Sequence, residues 1–477
     1  MTQPGSPLWW VDRLHAELGH RQSRVARFEC FYTGDHPLPV VANSFTIKEA
    51  ERAYQELLRH SVTNWSSLVA DAPAERLEVV GFRFGAETGG DPDGWRLWQE
   101  NQLDADQHLV TDTALQTGQA FVSVWFGPGD TPVISPEHPS QCIVAYAAGS
   151  RRRRVAALKE WRDDDGSLMA SLHLPGGVYK FRLPLAPPAP PGIVRADSSM
   201  AYTAPAGLLS WEVFQPPGEE WPIPNPTGVV PIIEFRANPS LRPAPFGGGH
   251  PEFETVIPIQ QRINRTLFNR LITQEFQSFR QRWATGMEPP LDPETGQPQN
   301  PFKPGASTIW MTADEQVKFG EFTEADLTRF IAAVESDVQQ MAAITRTPPY
   351  YLLGEMINVS GDALMAAEAG LVAKVRRHMG NFGESWEEVV RVALAFMDDP
   401  RSADMQSQVI WSDPEQRTWA ATVDAVLKMQ TLGVPTEALW AMLPGVTPQD
   451  VARWKSMGAG ADLIGQLLAQ PAPPAPV

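Results

Sequence analysis

The densest run of oxygen ligands in the sequence is Asp163-Asp164-Asp165, followed by Gly166. Calcium held in a helical loop needs oxygens at alternating positions and a distal Glu, and neither is here, so the run reads as a hairpin turn. Gly247-Gly248-Gly249-His250 is the one glycine cluster that could approach a phosphate. The segment after it opens with Glu252 and Glu254, whose charge repels phosphate at a helix start, so the cluster reads as a flexible joint. Nine histidines are scattered singly, and His15 with His20, or His36 with Cys30, lack the further ligands a zinc site requires. No metal and no cofactor is expected. There is no G-x-x-x-x-G-K-[ST] loop, no H-E-x-x-H, no G-x-S-x-G and no glycine fingerprint between a strand and a helix. A hydrolase built on an acid pair outside these motifs stays open, but nothing in the sequence selects a pair. Arg151-Arg152-Arg153-Arg154 reads as a solvated or intersubunit face rather than a nucleic-acid site.

Two segments concentrate opposite charge. Val256 to Arg282 carries Arg262, Arg265, Arg270, Arg280 and Arg282 against Glu275, a net +4. Thr323 to Ile344 carries Glu324, Asp326, Glu335 and Asp337 against Arg329, a net −3. Both have helical apolar spacing: Val256, Ile259, Ile263, Leu267 and Leu271 in the first, Leu327, Ile331, Val334, Val338 and Met341 in the second. These rods are expected to pair, within one subunit or between neighbours. Trp283 to Gly320 between them is rich in proline and glycine and cannot continue either helix, so it must leave as a long excursion.

The remaining pattern is α+β and mainly helical. Helices are expected from Pro7 to His20, from Ile47 to Val69 and over Asp91 to Leu115, with strands at Leu77 to Phe84 and Ala120 to Trp125. An antiparallel meander follows over Val144 to Phe181, then the stiff linker Pro184 to Gly192. After Pro348-Pro349, an apolar stretch from Tyr350 to Val359 leads to Ser360, a capping residue for a helix running to about Met397, with bends expected at Gly380 and Gly383. A strand at Gln408 to Trp411 and helices at Glu415 to Met429, Thr436 to Met442 and Thr447 to Leu468 complete the chain, and the proline-rich tail is expected to be disordered.

The whole has 477 residues, enough for a substantial core, and 45 prolines, roughly double ordinary usage. The net charge of −17 argues against a protein that coats nucleic acid. Cys30 and Cys142 are too few for a disulfide framework, so a reducing compartment is expected. No leader pattern and no membrane span is read in the sequence, and no membrane partner is expected.

Several local patterns, in order, resemble the portal proteins of tailed bacteriophages, of the type found in the Bacillus phage SPP1 and in phages of actinobacteria. They are Tyr32 with GDHPLP (34–39), DAPAERLEVVGFR (71–83), NQLD (101–104), VIPIQQRINRTL (256–267), RWATG (282–286) and NVSGDALMAAEAGLVAKV (358–375). None is a catalytic signature; their order carries the resemblance. The chain departs from the pattern at Gly247 to Glu252, where relatives often carry a Gly-x-Ser-Glu-like approach to the first rod.

The resemblance implies a portal fold and a ring, usually of twelve subunits, at one capsid vertex. It implies a wing from residues 1–252, stem helices at 253–282 and 321–346, a clip at 283–320, and a tunnel-loop region at 347–360. A long wing helix and the rest of the wing would follow at 361–434, a crown at 435–470 and a tail at 471–477. Leu352, Leu353, Gly354, Met356, Ile357, Asn358, Val359 and Ser360 would face DNA in the channel, and Arg262, Arg265, Arg270, Glu324, Asp326, Glu335 and Asp337 would lie in the stem. Trp283, Pro290, Pro301, Lys303 and Trp310 would belong to a clip that docks terminase and later the head-tail adaptor. Implied partners are further copies of the chain, the terminase large subunit, the adaptor, the major capsid and scaffolding proteins, and double-stranded DNA passing without sequence specificity. The implied location is the virion, with assembly in the host cytoplasm, and no enzyme activity is implied. An acidic subunit suits this role, because a cationic channel would bind each phosphate and stall transport. A non-phage helical scaffold or pore is the other reading of the rods.

Overall fold

A computed structural model describes residues 3–37, 48–85, 89–127, 129, 131–184, 211–241, 248–278, 282–286, 296, 316–321, 325–354, 361–415 and 419–468. Helix α1 (Pro7–Thr33) starts where the Ser6 hydroxyl accepts the Trp9 N–H and Pro7 occupies the first turn, and it stops at Gly34 in the left-handed region. It runs well past the expected end at His20. The expected Ile47 to Val69 helix is two, α2 (Lys48–His60) and α3 (Ser66–Ala74). Side chains from elsewhere break it: Asn264 Oδ1 accepts from the Thr63 N–H at 3.3 Å, while Gln260 Oε1 accepts from the Trp65 N–H at 3.0 Å.

Strand β1 (Val79–Arg83) leads to α4 (Pro92–Glu100) and α5 (Leu103–Thr117), separated at Asn101 and Gln102. Strands β2 (Gln119–Trp125) and β3 (Val133–Glu137) pair antiparallel. The meander is β4 (Cys142–Tyr146), β5 (Arg154–Arg162), β6 (Leu168–Leu174) and β7 (Gly177–Leu183), flanked by the short β8 (Glu212–Val213) and β9 (Ile223–Pro224). Asp163 closes the β5–β6 turn, its carbonyl accepting the Gly166 N–H at 2.8 Å. One face of this sheet buries Ile143, Leu158, Leu172 and Phe181 with Val11, Leu14 and Leu18 of α1. Strand β10 (Ile232–Arg236) then joins β2 on the side away from β3.

The chain goes out along α6 (Ile257–Ser278), crosses β11 (Arg282–Thr285) and β12 (Lys318–Glu321), and returns along α7 (Thr328–Thr345). After the five-residue α8 (Pro349–Leu353) comes α9 (Gly361–Phe396), 36 residues and about 54 Å long. It is continuous through Gly380 and Gly383, because the buried Phe382 and Trp386 anchor the turns around the glycines. Trp386 packs on Trp98 of α4 and Phe235 of β10, at ring distances of 4.9 and 4.7 Å. The main core thus joins residues from α1, α3, α5, β1, β2, β10, α6, α7 and α9. Strand β13 (Gln408–Trp411) returns to pair antiparallel with β1. Helices α10 (Trp419–Thr431), α11 (Thr436–Trp440) and α12 (Pro448–Leu468) follow. No helix among the described residues is long and apolar enough to cross a membrane.

Candidate functional site

The residues expected from the sequence to carry function lie on the paired helices α6 and α7, in the excursion between them and in the segment after α7. Their apolar seam includes Ile263 and Leu267 from α6 with Val338, Met341 and Ala342 from α7. The opposite charges meet within the subunit: Arg262 donates from Nε and Nη2 to the two Asp337 oxygens at 3.0 and 2.6 Å, and again from Nη2 to Gln340 Oε1 at 3.1 Å. Arg265 and Glu335 are exposed, and Arg270 is half-buried with its Nε unbonded. Asp326 accepts the Thr328 N–H at the start of α7. Glu324 lies outside the described residues.

The base of α6 is tied to the body by buried polar groups rather than by a flexible joint. Gly249 crosses Gly118 and Ala237 so closely that a Cβ there would sit 1.8 Å from the Ala237 carbonyl oxygen and 2.3 Å from that of Gly118. The glycine is present for backbone contact, not for freedom, which corrects the expectation from sequence. Three residues on, the Glu252 carboxylate, 4% exposed, faces His378 Nε2 at 2.7 Å, Lys374 Nζ at 3.0 Å and the Asn238 amide at 2.6 Å. Burial alone would raise its pKa, but these partners overcome burial and hold it at about 2. Within α6, Gln260 and Asn264 bond to Thr63, Trp65 and His36.

Beyond α6 the excursion begins as a two-stranded ribbon, with Trp283 opposite Gly320 and Thr285 opposite Lys318. The Trp283 ring covers Gly320, where a Cβ would lie 2.3 Å from it. Of the expected clip residues Trp283 is exposed, whereas Pro290, Pro301, Lys303 and Trp310 lie outside the described residues.

The stretch expected to line a channel begins instead with helix α8. Leu352 is 6% exposed and belongs to the main core, Leu353 packs partly against that core, and Gly354 caps the helix at φ +70°. Leu352 is therefore a packing residue: α8 turns it inward while the Trp65 indole N–H donates to its carbonyl at 3.1 Å. Met356, Ile357, Asn358, Val359 and Ser360 lie outside the described residues. Both flanks of that segment are fixed by Arg76, which reaches Glu368 of α9 at 3.2 Å, the Tyr351 hydroxyl at 2.9 Å and the Pro414 carbonyl at 3.1 Å. Tyr350 donates to the same Glu368.

Arg76, Glu368, Glu252 and His378 were not singled out as site residues by sequence reasoning. The patterns that carry the resemblance nevertheless contain the signal. Arg76 lies in DAPAERLEVVGFR, Gln260 and Asn264 in VIPIQQRINRTL, Glu368 and Lys374 in NVSGDALMAAEAGLVAKV, and His36 in GDHPLP. Polar residues that fold into an apolar interior, whether on a helix as Gln260, Asn264, Glu368 and Lys374 are or just beyond one as Arg76 and His36 are, need a partner there.

No group of three His, Cys, Asp or Glu side chains among the described residues is placed to hold a metal ion. In the basic run, Arg154 pairs with Glu388 at 2.7 Å and Arg151 donates to the Ser240 carbonyl, leaving Arg152 and Arg153 on the surface.

What these parts form is a mixed helix and strand body carrying a helical pair joined through a ribbon, fixed at its base by buried ions. The sequence profile of the family described as phage portal protein, SPP1 Gp6-like, matches residues 12–462, and the chain belongs to that family. Among relatives, it is 28% identical over 425 residues to the portal protein of Mycobacterium phage L5, a match covering 84% of this chain and 76% of that one. It is 29% identical over 429 residues to the portal protein of Mycobacterium phage D29, covering 85% and 77% respectively. Among solved structures it matches a chain in the virion of a native gene transfer agent particle, at a TM-score of 0.40 and 10% identity over 86% of this chain and 94% of that one.

Proposed function

We propose that the chain acts as one subunit of a closed ring at the capsid vertex, with DNA entering and leaving through its axis. The observation that carries this reading is the α6–α7 pair, cross-linked by Arg262 and Asp337 and tied to the body at its base by the Glu252 cluster and by Gln260 and Asn264. Such a unit suits the stem of a ring, because it fixes the distance and direction of whatever it carries at its far end. On this reading residues 1–252 and 361–434 are wing, 283–320 clip, and 435–470 crown. The segment 355–360, held by Arg76 and Glu368 on its flanks, is the part of the expected tunnel loop left to face DNA. Twelve copies, docking of terminase and then of the adaptor on the clip, and contacts with capsid and scaffolding proteins complete the proposal. On this reading the packaging motor is a separate ATP-hydrolysing protein, which fits the lack of a phosphate-loop motif in the sequence. Assembly would occur in the host cytoplasm.

Electron microscopy of the purified chain tests the ring. Particles with an axial hole and a countable rotational symmetry are expected, and monomers under every assembly condition would sink the reading.

A further inference from the structure

The meander sheet is electrically polarised along its strands. At the β4–β5 end, Arg151, Arg152 and Arg153 are exposed, while Arg154 is neutralised by Glu388. Beside them Leu241 is 85% exposed, next to the Ser240 carbonyl that Arg151 holds. At the other end of β5, nine residues and about 26 Å away, lies the Asp163-Asp164-Asp165 turn. The register places Glu212 there too, because Glu212 pairs with Arg182 of β7 and Arg182 bonds Asp165. Arg162 and Arg182 offset part of the acid and leave a net −2, and Val213 beside Glu212 is 54% exposed. Each pole thus combines one sign of charge with an exposed aliphatic residue.

We infer that these poles meet between copies: the Arg151–Arg153 turn of one chain docks on the Asp163–Asp165 and Glu212 end of the next. The poles lie at opposite ends of one rigid sheet, so a copy cannot satisfy itself. A contact between two different patches passes from copy to copy and closes when the rotation closes, which is the geometry of a ring. A second copy is favoured over phosphate because it brings both the complementary charge and a partner for each exposed aliphatic side chain. Exposed ion pairs of this kind set orientation and encounter rate more than affinity, so assembly should weaken with salt. The inference rests on the ring reading above and assigns one of its contacts.

The test uses the full chain with Arg152→Glu/Arg153→Glu, with Asp163→Lys/Asp164→Lys, and with all four changes. These four groups lie on the surface, so thermal melts of every variant should match the parent. Each pair of changes alone is expected to reduce ring yield by about tenfold or more, through like charges brought face to face. The fourfold variant, and an equal mixture of the two pairwise variants, should recover it, the mixture as alternating rings. Wild-type yield from either pairwise variant, or no recovery in both the mixture and the fourfold variant, would overturn the inference. So would intact rings from the Arg variant that have lost only DNA retention, which would assign the turn to phosphate. If the parent forms no rings, the ring reading itself has failed, and a chain carrying Arg152→Cys with Asp164→Cys still reports the pairwise contact. Disulfide-linked oligomers absent from the chains that carry either change alone, which keep the native Cys30 and Cys142, would then support the docking, and their absence would end it.

Discussion

Arg262, in the second turn of α6, meets Asp337, in the middle of α7, through two parallel hydrogen bonds of 3.0 and 2.6 Å. The two-point geometry fixes the register of the outgoing helix against the returning one. Asp337 is the more buried partner, at 12% side-chain exposure against 51% for Arg262. Removing the arginine should therefore cost more than removing the acid. Arg262→Ala is expected to lower stability by about 1–2 kcal/mol, since it strands a buried carboxylate. Asp337→Ala should cost less, and the double variant less than the two together. Urea unfolding of all four chains measures the coupling, and additive losses would show that the pair does not act as a unit.

Two glycines should respond in opposite directions. Gly249→Ala would force a carbon into the Ala237 and Gly118 carbonyls, so the segment between the meander and α6 must shift, at about 3 kcal/mol or more. Gly380 lies inside α9 with open space around it, and Gly380→Ala should stabilise by about 0.5–1 kcal/mol. Thermal melts of both variants decide; a harmless Gly249→Ala would contradict the close crossing.

Acid should unlatch the base of α6. The folded-state pKa of Glu252, about 2, lies below its ordinary 4.5, so its contribution is present in full above pH 4.5 and is lost as pH falls towards 2. A single buried acid shifted this far is worth on the order of a few kcal/mol at neutral pH. Glu252→Gln should be less stable at pH 7 and show a flatter dependence between pH 4.5 and 2. An unchanged slope in denaturant titrations across that range would move the acid sensitivity elsewhere.

For the segment before α9, Asn358→Arg with Val359→Arg would add cations where passing phosphate is expected. Rings should form at normal yield while DNA translocation slows, most strongly at low salt. Ring yield and packaging velocity over a salt series separate the outcomes. Lost rings would indicate a buried connection, and intact rings with salt-independent, wild-type velocity would rule out a DNA-facing role.

Replacing residues 287–315 by a short Gly-Ser turn leaves the ribbon of 282–285 with 318–321 to close the helical pair. Rings are expected to survive and terminase-driven packaging to fail. Packaging at the normal rate would remove the clip from the docking role.

Apolar spacing by itself determined the helical rods, the meander, the long helix α9 and the three C-terminal helices, because period and turn residues are local properties. The charged residues themselves showed that opposite charges sit on the two rods. Which of those charges would meet was not local: only the packing of α6 on α7 selects Arg262 with Asp337 and leaves Arg265 and Glu335 on the surface. The break between α2 and α3 was invisible for the same reason, since Gln260 and Asn264, about 200 residues away, take the backbone groups that a continuous helix would have used. Gly249 looked flexible because a sequence records a missing side chain without recording what occupies its space. Leu352 looked available to a channel because an apolar residue in a short run reads alike as wall or as core, and the turn of α8 against α3 decided for core. The polar residues that anchor both regions, Arg76, Glu252 and Glu368, stood in plain view in the sequence, but a buried charge is recognised only by its partners, and the tertiary fold brings those together.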